Sequence, residues 1–140
     1  MYLLDTNVIS ELRKSRTGRA DPAVVAWADA VPAAHLHLSV ISLLELELGV
    51  QQVARRDPVQ GAALRAWLEG QVLPAFDGRT LPVDVPVARR CAALHVPDPA
   101  AERDALIAAT ALVHGLTVVT RNTADFTASG VAQLNPWRAS

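Results

Sequence analysis

Four acidic residues stand where this chain passes from one element into the next: Asp5, Glu45, Asp104 and Asp125. Asp5 ends the continuous apolar run Tyr2, Leu3, Leu4, of the kind found in a strand covered on both faces. Asp125 closes the loop that leaves a second such run, residues 116–120. Glu45 and Asp104 fall on the early turns of helices. In a parallel sheet, strand C-termini and the N-termini of the following helices share one edge, and that edge is where ligands bind. The four carboxylates are therefore expected to converge. Gathered carboxylates repel and raise one another's pKa, and a divalent cation relieves the repulsion. All-oxygen ligands without Cys or His point to Mg²⁺ or Mn²⁺ rather than zinc. Such a centre supports metal-assisted phosphodiester hydrolysis, with water as nucleophile and the metal stabilising charge on the phosphate.

Some of these acids also have a plainer reading. An Asp at a strand-to-helix turn can simply cap the helix, here one whose Val8, Ile9 and Leu12 recur at helical spacing; Thr6 and Asn7 are good N-caps too. Residues 35–39 alternate strictly, which reads as a strand with Leu36 and Leu38 on one face and His35 and His37 on the other. Ser39 then caps a helix from residue 40 to about residue 54. Glu45 follows Ser42 at capping-box spacing, but that requires the helix to start at Ser42. With Ser39 as the cap, Glu45 lies nearly two turns inside an apolar surface, where an ionised Glu is costly unless paired. Glu47 points roughly 200° away from it and reads as exposed or as part of an interface. Asp98-Pro99 starts a helix that stops at Gly115. The helix dipole accounts for Glu102. Asp104 instead stacks on Ala101 and Ala108, small neighbours that leave room around its carboxylate.

The remaining elements frame these positions. Residues 13–19 form a basic loop (Arg13, Lys14, Arg16, Arg19), either a solvated connector or a phosphate contact. Asp21-Pro22 opens a helix with Val24, Val25, Ala28 and Val31 on its apolar side, and Trp27 reads as packing or interface. Asp57-Pro58 opens another, with Leu64, Trp67, Leu68 and Val72 on one stripe. Residues 79–83 make a short strand that Pro82 assigns to a sheet edge, and Asp84 caps a helix with Val87, Cys91 and Leu94 inward. At 140 residues the chain is expected to be one domain with a sizeable core. With 51% hydrophobic residues, 19% charged and no low-complexity tract, disorder is not expected. A net charge of −1 argues against binding nucleic acid by bulk electrostatics. Twelve of the 13 basic residues are Arg, which suits bidentate grips on phosphate, although a GC-rich genome explains the same bias. The single cysteine, Cys91, reads as a buried thiol. No signal peptide is visible and no apolar stretch approaches membrane-spanning length, so the protein is expected in the cytoplasm.

Taken together, Leu3-Leu4-Asp5-Thr6-Asn7, the Ser39 helix with Glu45-Leu46 and Gly49, Asp104 with Ile107-Ala108-Ala109, and Thr120-Arg121-Asn122 with Asp125-Phe126 resemble the PIN-domain ribonucleases. The likeness is strongest to VapC-type toxins of bacterial toxin–antitoxin pairs. It covers the whole chain, and its four acidic blocks arrive in the family's order and spacing. The resemblance implies a three-layer α/β/α fold with a mainly parallel central sheet, as a single domain over residues 1–140. It also implies endoribonuclease activity, with Mg²⁺ or Mn²⁺ held by Asp5, Asp104 and Asp125. Glu45 would complete the acidic pocket and help orient water, Thr6 or Thr120 would supply a hydroxyl nearby, and Asn7 and Asn122 would support them. The implied partners are an RNA substrate, a small antitoxin whose C-terminal segment covers the site, and a second copy of the chain. The alternative is a catalytically silent PIN scaffold that binds protein or RNA; four intact acids speak against it, because a binding module has no reason to keep a repulsive cluster. Other architectures with acids at strand ends lack a required residue. A response-regulator receiver needs a late Lys, and Lys14 is the only lysine; a haloacid-dehalogenase-type phosphatase needs a second Asp where Asn7 stands. The Gly-Lys-Ser/Thr of a phosphate-cradling loop is absent.

Overall fold

The computed structural model describes residues 1–138, and in them five short strands form one sheet: β1 (Tyr2–Leu4), β2 (Leu36–Ser39), β3 (Thr80–Leu81), β4 (Thr117–Val119) and β5 (Gln133–Leu134). Their order is β3-β2-β1-β4-β5 and every neighbouring pair is parallel. All strand C-termini therefore open on one edge, with β1 at the centre. Alternate side chains of a strand point to opposite faces, and both faces are covered. Leu4, Leu38 and Val119 pack with Val8, Val24, Leu46 and Val50 on one side. Leu3 and Val118 pack with Ile107, Ala108, Ala111 and Phe126 on the other. Leu3 and Leu4 are both 0% exposed, each worth about 1.5–3 kcal/mol of burial. The expected three-layer α/β/α arrangement with a parallel sheet is what forms.

Helices α1 (Thr6–Arg13), α2 (Pro22–Ala30), α3 (Val40–Arg56) and α4 (Pro58–Trp67) supply the first layer. Gly61 lets α4 close on α3, since a Cβ there would lie 2.3 Å from Ala54 Cα. After α4 the chain passes through a wide turn at Leu68–Val72 into the three-residue α5 (Leu73–Ala75). The stripe expected on this segment is real, with Leu68 and Val72 buried and Leu64 and Trp67 packed beside them. Helices α6 (Val85–Leu94) and α7 (Glu102–His114) pack on each other and cover the opposite face. β3 is at the sheet edge, as expected, but it spans Thr80–Leu81 rather than residues 79–83, and Pro82 lies just beyond it.

Four local expectations need correction. The α1 cap is Asp5, whose side chain accepts the Thr6 N–H, so Thr6 and Asn7 are helical rather than caps. β2 starts one residue late: the His35 N–H bonds back to the Pro32 carbonyl in a 3₁₀ turn, so His35 and His37 do not share a strand face. α7 starts at Glu102 rather than at Asp98-Pro99, because the Ala100 N–H is taken by His95 Nδ1 at 3.0 Å and the first helical bond runs from Ala105 to Ala101. Beyond β4, residues read as an exit loop form a 3₁₀ helix, Thr123–Ser129, followed by the unexpected β5.

Candidate functional site

The first wall of the site is built by the end of β1. Because β1 is central and parallel to β4, Asp5 emerges beside Thr120, one residue past the β4 end. Asp5 Oδ1 accepts the Thr6 N–H at 2.8 Å, and Oδ2 accepts the buried Thr120 hydroxyl at 2.8 Å and the Asn7 amide at 3.4 Å. Capping the helix and facing the sheet edge are thus one orientation of one carboxylate. The Asn7 amide also reaches Thr120 Oγ1 at 3.3 Å, Asn7 Oδ1 accepts the Arg121 N–H at 3.3 Å, and the Asn122 N–H reaches Thr120 Oγ1 at 3.0 Å. Thr120 is the hub that ties the β4 exit to the β1 exit.

Glu45 enters from α3. Ser39 is the cap of α3, accepting the Ile41 N–H at 3.0 Å, so the capping box with Ser42 does not form and Ser42 is wholly buried. Glu45 Oε1 instead accepts the Thr6 hydroxyl at 2.7 Å, and Oε2 lies 3.6 Å from Arg103 Nη1. Both threonines thus place a hydroxyl on an acid. Glu47 points elsewhere and pairs with Arg65 on α4.

Asp5, Glu45 and Asp104 line one cleft of about 440 Å³, together with Thr6, Asn7 and Asn122. Asp125 does not line it; it lies next to Asp104 in a small adjoining depression, and its charge acts on both Asp104 and Asp5. Asp104, in the first turn of α7, is half-buried. Neither its carboxylate nor that of Asp125 makes a side-chain hydrogen bond or ion pair among the described residues. Burial first, then the charges of Asp125, Asp5 and Glu45, push the Asp104 pKa above the ordinary carboxylate value. Asp5 is also raised, by burial above all; the Thr120 and Thr6 hydrogen bonds oppose that, and the charges of Glu45 and Asp125 add to it.

This donor set fits a hard divalent cation. It is all carboxylate oxygen, two of its acids lack any other partner among the described residues, and their charges oppose one another; no three of these carboxylates bring ligand atoms within 4.8 Å of one another, so a bound ion would draw them together. Asp5, Asp104 and Asp125 are the residues that could hold the ion. Glu45, already engaged by Thr6 and facing Arg103, is less available.

The cleft has further walls that the sequence reading did not assign to it: Ser10, Glu11, Lys14, Arg121 and Trp137. Asn7, Glu11 and Lys14 sit at helical spacing, so a polar stripe on α1 was the available signal. Trp137 offered none. Glu11 is a contrast to Asp104: it accepts the Asp21 N–H at 2.8 Å and pairs with Lys14 at 3.1 Å, and those contacts, Asp21 foremost, hold its pKa below the ordinary value.

A second group of potential ligands lies between α6 and α7. Cys91, His95 and Glu102 bring one ligand atom each within 4.8 Å of the others. Its hydrogen bonds argue against a metal. His95 Nδ1 accepts the Ala100 N–H at 3.0 Å, so the neutral ring carries its proton on Nε2, which faces Glu102 Oε2 at 3.2 Å. No nitrogen lone pair is left for an ion. Cys91 is buried, as expected.

Comparisons with known proteins place the chain in a family and agree with its fold. The PIN domain family model matches residues 2–128. The chain is 42% identical over 145 residues to VapC ribonuclease Y4jK of Sinorhizobium fredii, covering 98% of each. It is 45% identical over 144 residues to toxin FitB of Neisseria gonorrhoeae, covering 98% of this chain and 99% of that one. The crystal structure of FitAcB from Neisseria gonorrhoeae superposes with a TM-score of 0.89 at 41% identity, over 99% of this chain and 100% of that one.

Proposed function

The chain belongs to the PIN domain family, and from that membership we propose that it is the toxin of a toxin–antitoxin pair, a metal-dependent endoribonuclease. Relatives named as a VapC ribonuclease and as a toxin support the reading from outside. The observation that carries it from within is Asp104: a half-buried carboxylate with no partner among the described residues, under the charges of three other acids.

In this reading Asp5, Asp104 and Asp125 hold Mg²⁺ or Mn²⁺, which when bound neutralises charge on the phosphate and activates water. The chain's own residues supply placement. Thr120 and the Thr6 N–H fix both Asp5 oxygens, so this ligand does not have to be ordered when RNA arrives. The Thr6 hydroxyl fixes Glu45, whose remaining lone pairs orient the attacking water. That water's oxygen bonds to phosphorus as a P–O ester bond breaks; its proton passes to a neighbouring carboxylate, and the departing ribose oxygen takes a proton from solvent water to leave as a hydroxyl. Asn7 and Asn122 keep the β1 and β4 exits in register. Single-stranded or looped RNA is the expected substrate, since an exposed backbone enters such a site more readily than a duplex.

The partner is a small antitoxin presenting Arg or Lys to the acids. It docks beside the cleft on α3, where Leu44 and Leu48 are exposed, and the toxin is expected to form a homodimer. The test is cleavage of RNA by wild type and by Asp5→Asn, with Mg²⁺ and with EDTA. Wild type should cut only with metal, and Asp5→Asn should not cut while keeping its fold. Cleavage in EDTA, or undiminished cleavage by Asp5→Asn, overturns the assignment. A protein that binds RNA without cutting it under any metal would be the silent scaffold instead.

A further inference from the structure

A cleft walled by four carboxylates repels a polyanion, so an RNA backbone needs cations at its rim. Among the described residues, the basic ones lining the cleft are Lys14 and Arg121; Arg103 stands beside it, 3.6 Å from Glu45 Oε2. Lys14 is committed, its Nζ 3.1 Å from Glu11 Oε1. Arg121 is not. It is exposed, and among the described residues its guanidinium makes no hydrogen bond and no ion pair. What it does have is a platform: its Cζ lies 5.3 Å from the centroid of the Trp137 ring. The platform is itself fixed. The Trp137 N–H is accepted by Asn135 Oδ1 at 3.0 Å, Pro136 beside it is buried, and the indole packs against the core on the α1 side of the sheet. The other end of Arg121 is fixed too, because its backbone N–H is accepted by Asn7, the residue that also reaches Asp5. A guanidinium lying against an aromatic face keeps its in-plane N–H fork free, and that fork matches two phosphate oxygens.

We infer that Arg121, held by Trp137 at the cleft rim, grips a phosphate of single-stranded RNA next to the acidic cluster. The inference rests on the nuclease reading for its substrate class but not for its geometry. Arg121 is a binding residue, Trp137 positions it, and Lys14 contributes less because its charge already answers Glu11.

The test is binding of a fluorescein-labelled single-stranded RNA of mixed sequence to the Asp5→Asn protein in constant Mg²⁺, titrated at several KCl concentrations. Arg121→Gln should weaken binding roughly tenfold and lower the slope of log K against log salt by about 0.7, the contribution of one phosphate contact on a single strand. Trp137→Leu should weaken binding through loss of position, and Trp137→Phe should restore it. Lys14→Gln should change it less than Arg121→Gln. In the otherwise wild-type enzyme, Arg121→Gln should raise KM several-fold with kcat little changed. An unchanged slope and affinity in Arg121→Gln, or a fall in kcat alone, overturns the clamp while leaving the nuclease reading standing. RNA that binds through Arg121 but is never cut leaves the clamp and removes the nuclease. If RNA does not bind at all, both fall.

Discussion

Glu102 and Asp104 are two residues apart on the first turn of α7, and each faces a cluster of potential metal ligands, yet the clusters differ in kind. Glu102 meets His95 at 3.2 Å, and His95 in turn holds the Ala100 N–H. Both ring nitrogens of His95 are satisfied there. Asp104 meets Asp5, Glu45 and Asp125, all of its own sign, and has no hydrogen-bond partner among the described residues. Counting residue types would favour the first cluster, because Cys, His and Glu are zinc ligands. Counting unmet needs favours the second. A buried group that lacks a partner is costly, so a cluster that stays incomplete points to something outside the chain, whereas a closed cluster is part of the fold.

That contrast can be broken by substitution. Asp104→Asn and Asp125→Asn should each lower metal-dependent RNA cleavage by more than roughly a hundredfold, beyond the range seen when only an outer partner of a ligand is lost. Glu102→Gln should leave cleavage within about twofold, because its partner is His95 and not the reacting site. Equal losses in all three variants would show that α7 placement, rather than the carboxylate cluster, controls activity. A finer cut comes from Thr120→Val, which keeps the shape of a wholly buried residue while removing the hydroxyl on Asp5. It should cost about 10–100-fold in cleavage or metal affinity. An unaffected Thr120→Val enzyme would mean that Asp5 needs no such orientation.

How much of this could be read beforehand follows the same division. The covered strands β1 and β4 and the approach of Asp5, Glu45 and Asp104 were legible because apolar runs and the parallel-edge rule need only local pattern and topology. Glu45 was separable from Glu47 because a helix turns by a fixed angle per residue. The α7 start was misread because Asp98-Pro99 is a good local cap signal, and the His95 contact that captures the Ala100 N–H could not be read from it. β5 was missed because two residues, Gln133 and Leu134, carry no period, and their pairing with β4 exists only in the folded sheet. Trp137 entered the cleft for the same reason. Asp125 was expected to converge with all three other acids; it lies beside Asp104 but off the main cleft, in a segment that is a 3₁₀ helix rather than an open loop.

Stability gives a measure of the open cluster that needs no RNA. Asp5 and Asp104 have folded-state pKa values raised above their ordinary 3.8. For such an acid, ionisation is harder in the folded than in the unfolded state. The penalty is absent below the ordinary pKa and fully present above the raised one, so stability falls as pH rises through that window. Metal-free protein should therefore melt higher on mild acidification from neutral pH. The trend reverses once Glu11, whose pKa is lowered from 4.5, begins to lose its contribution as pH falls. Asp104→Asn should raise the metal-free melting temperature and flatten the pH slope. Mg²⁺ should reverse the ranking, since a ligand at a hundred times its Kd stabilises the folded state by about 2.7 kcal/mol and wild type binds it more tightly. Melts in EDTA and in Mg²⁺ decide this; if metal stabilises neither protein, the cluster is not a metal site.

The smallest effect belongs to the closed cluster, and its smallness is the point. His95→Ala removes the acceptor for the Ala100 N–H and the contact with Glu102. The backbone bond is worth about 1 kcal/mol net. The Glu102 contact adds little, because its side chain is 71% exposed and solvent screens the pair. Thermal unfolding in EDTA should thus show a modest loss for His95→Ala and almost none for Glu102→Gln, with the Mg²⁺ response of both unchanged. Zinc is the discriminating addition. If His95 uses Nδ1 as an acceptor and Nε2 as a donor, Zn²⁺ must break the Ala100 bond to bind, and it should not raise the melting temperature. A zinc-dependent rise in wild type that disappears in His95→Ala would mean the ring can turn its bonding around, and that this cluster, too, waits for an ion.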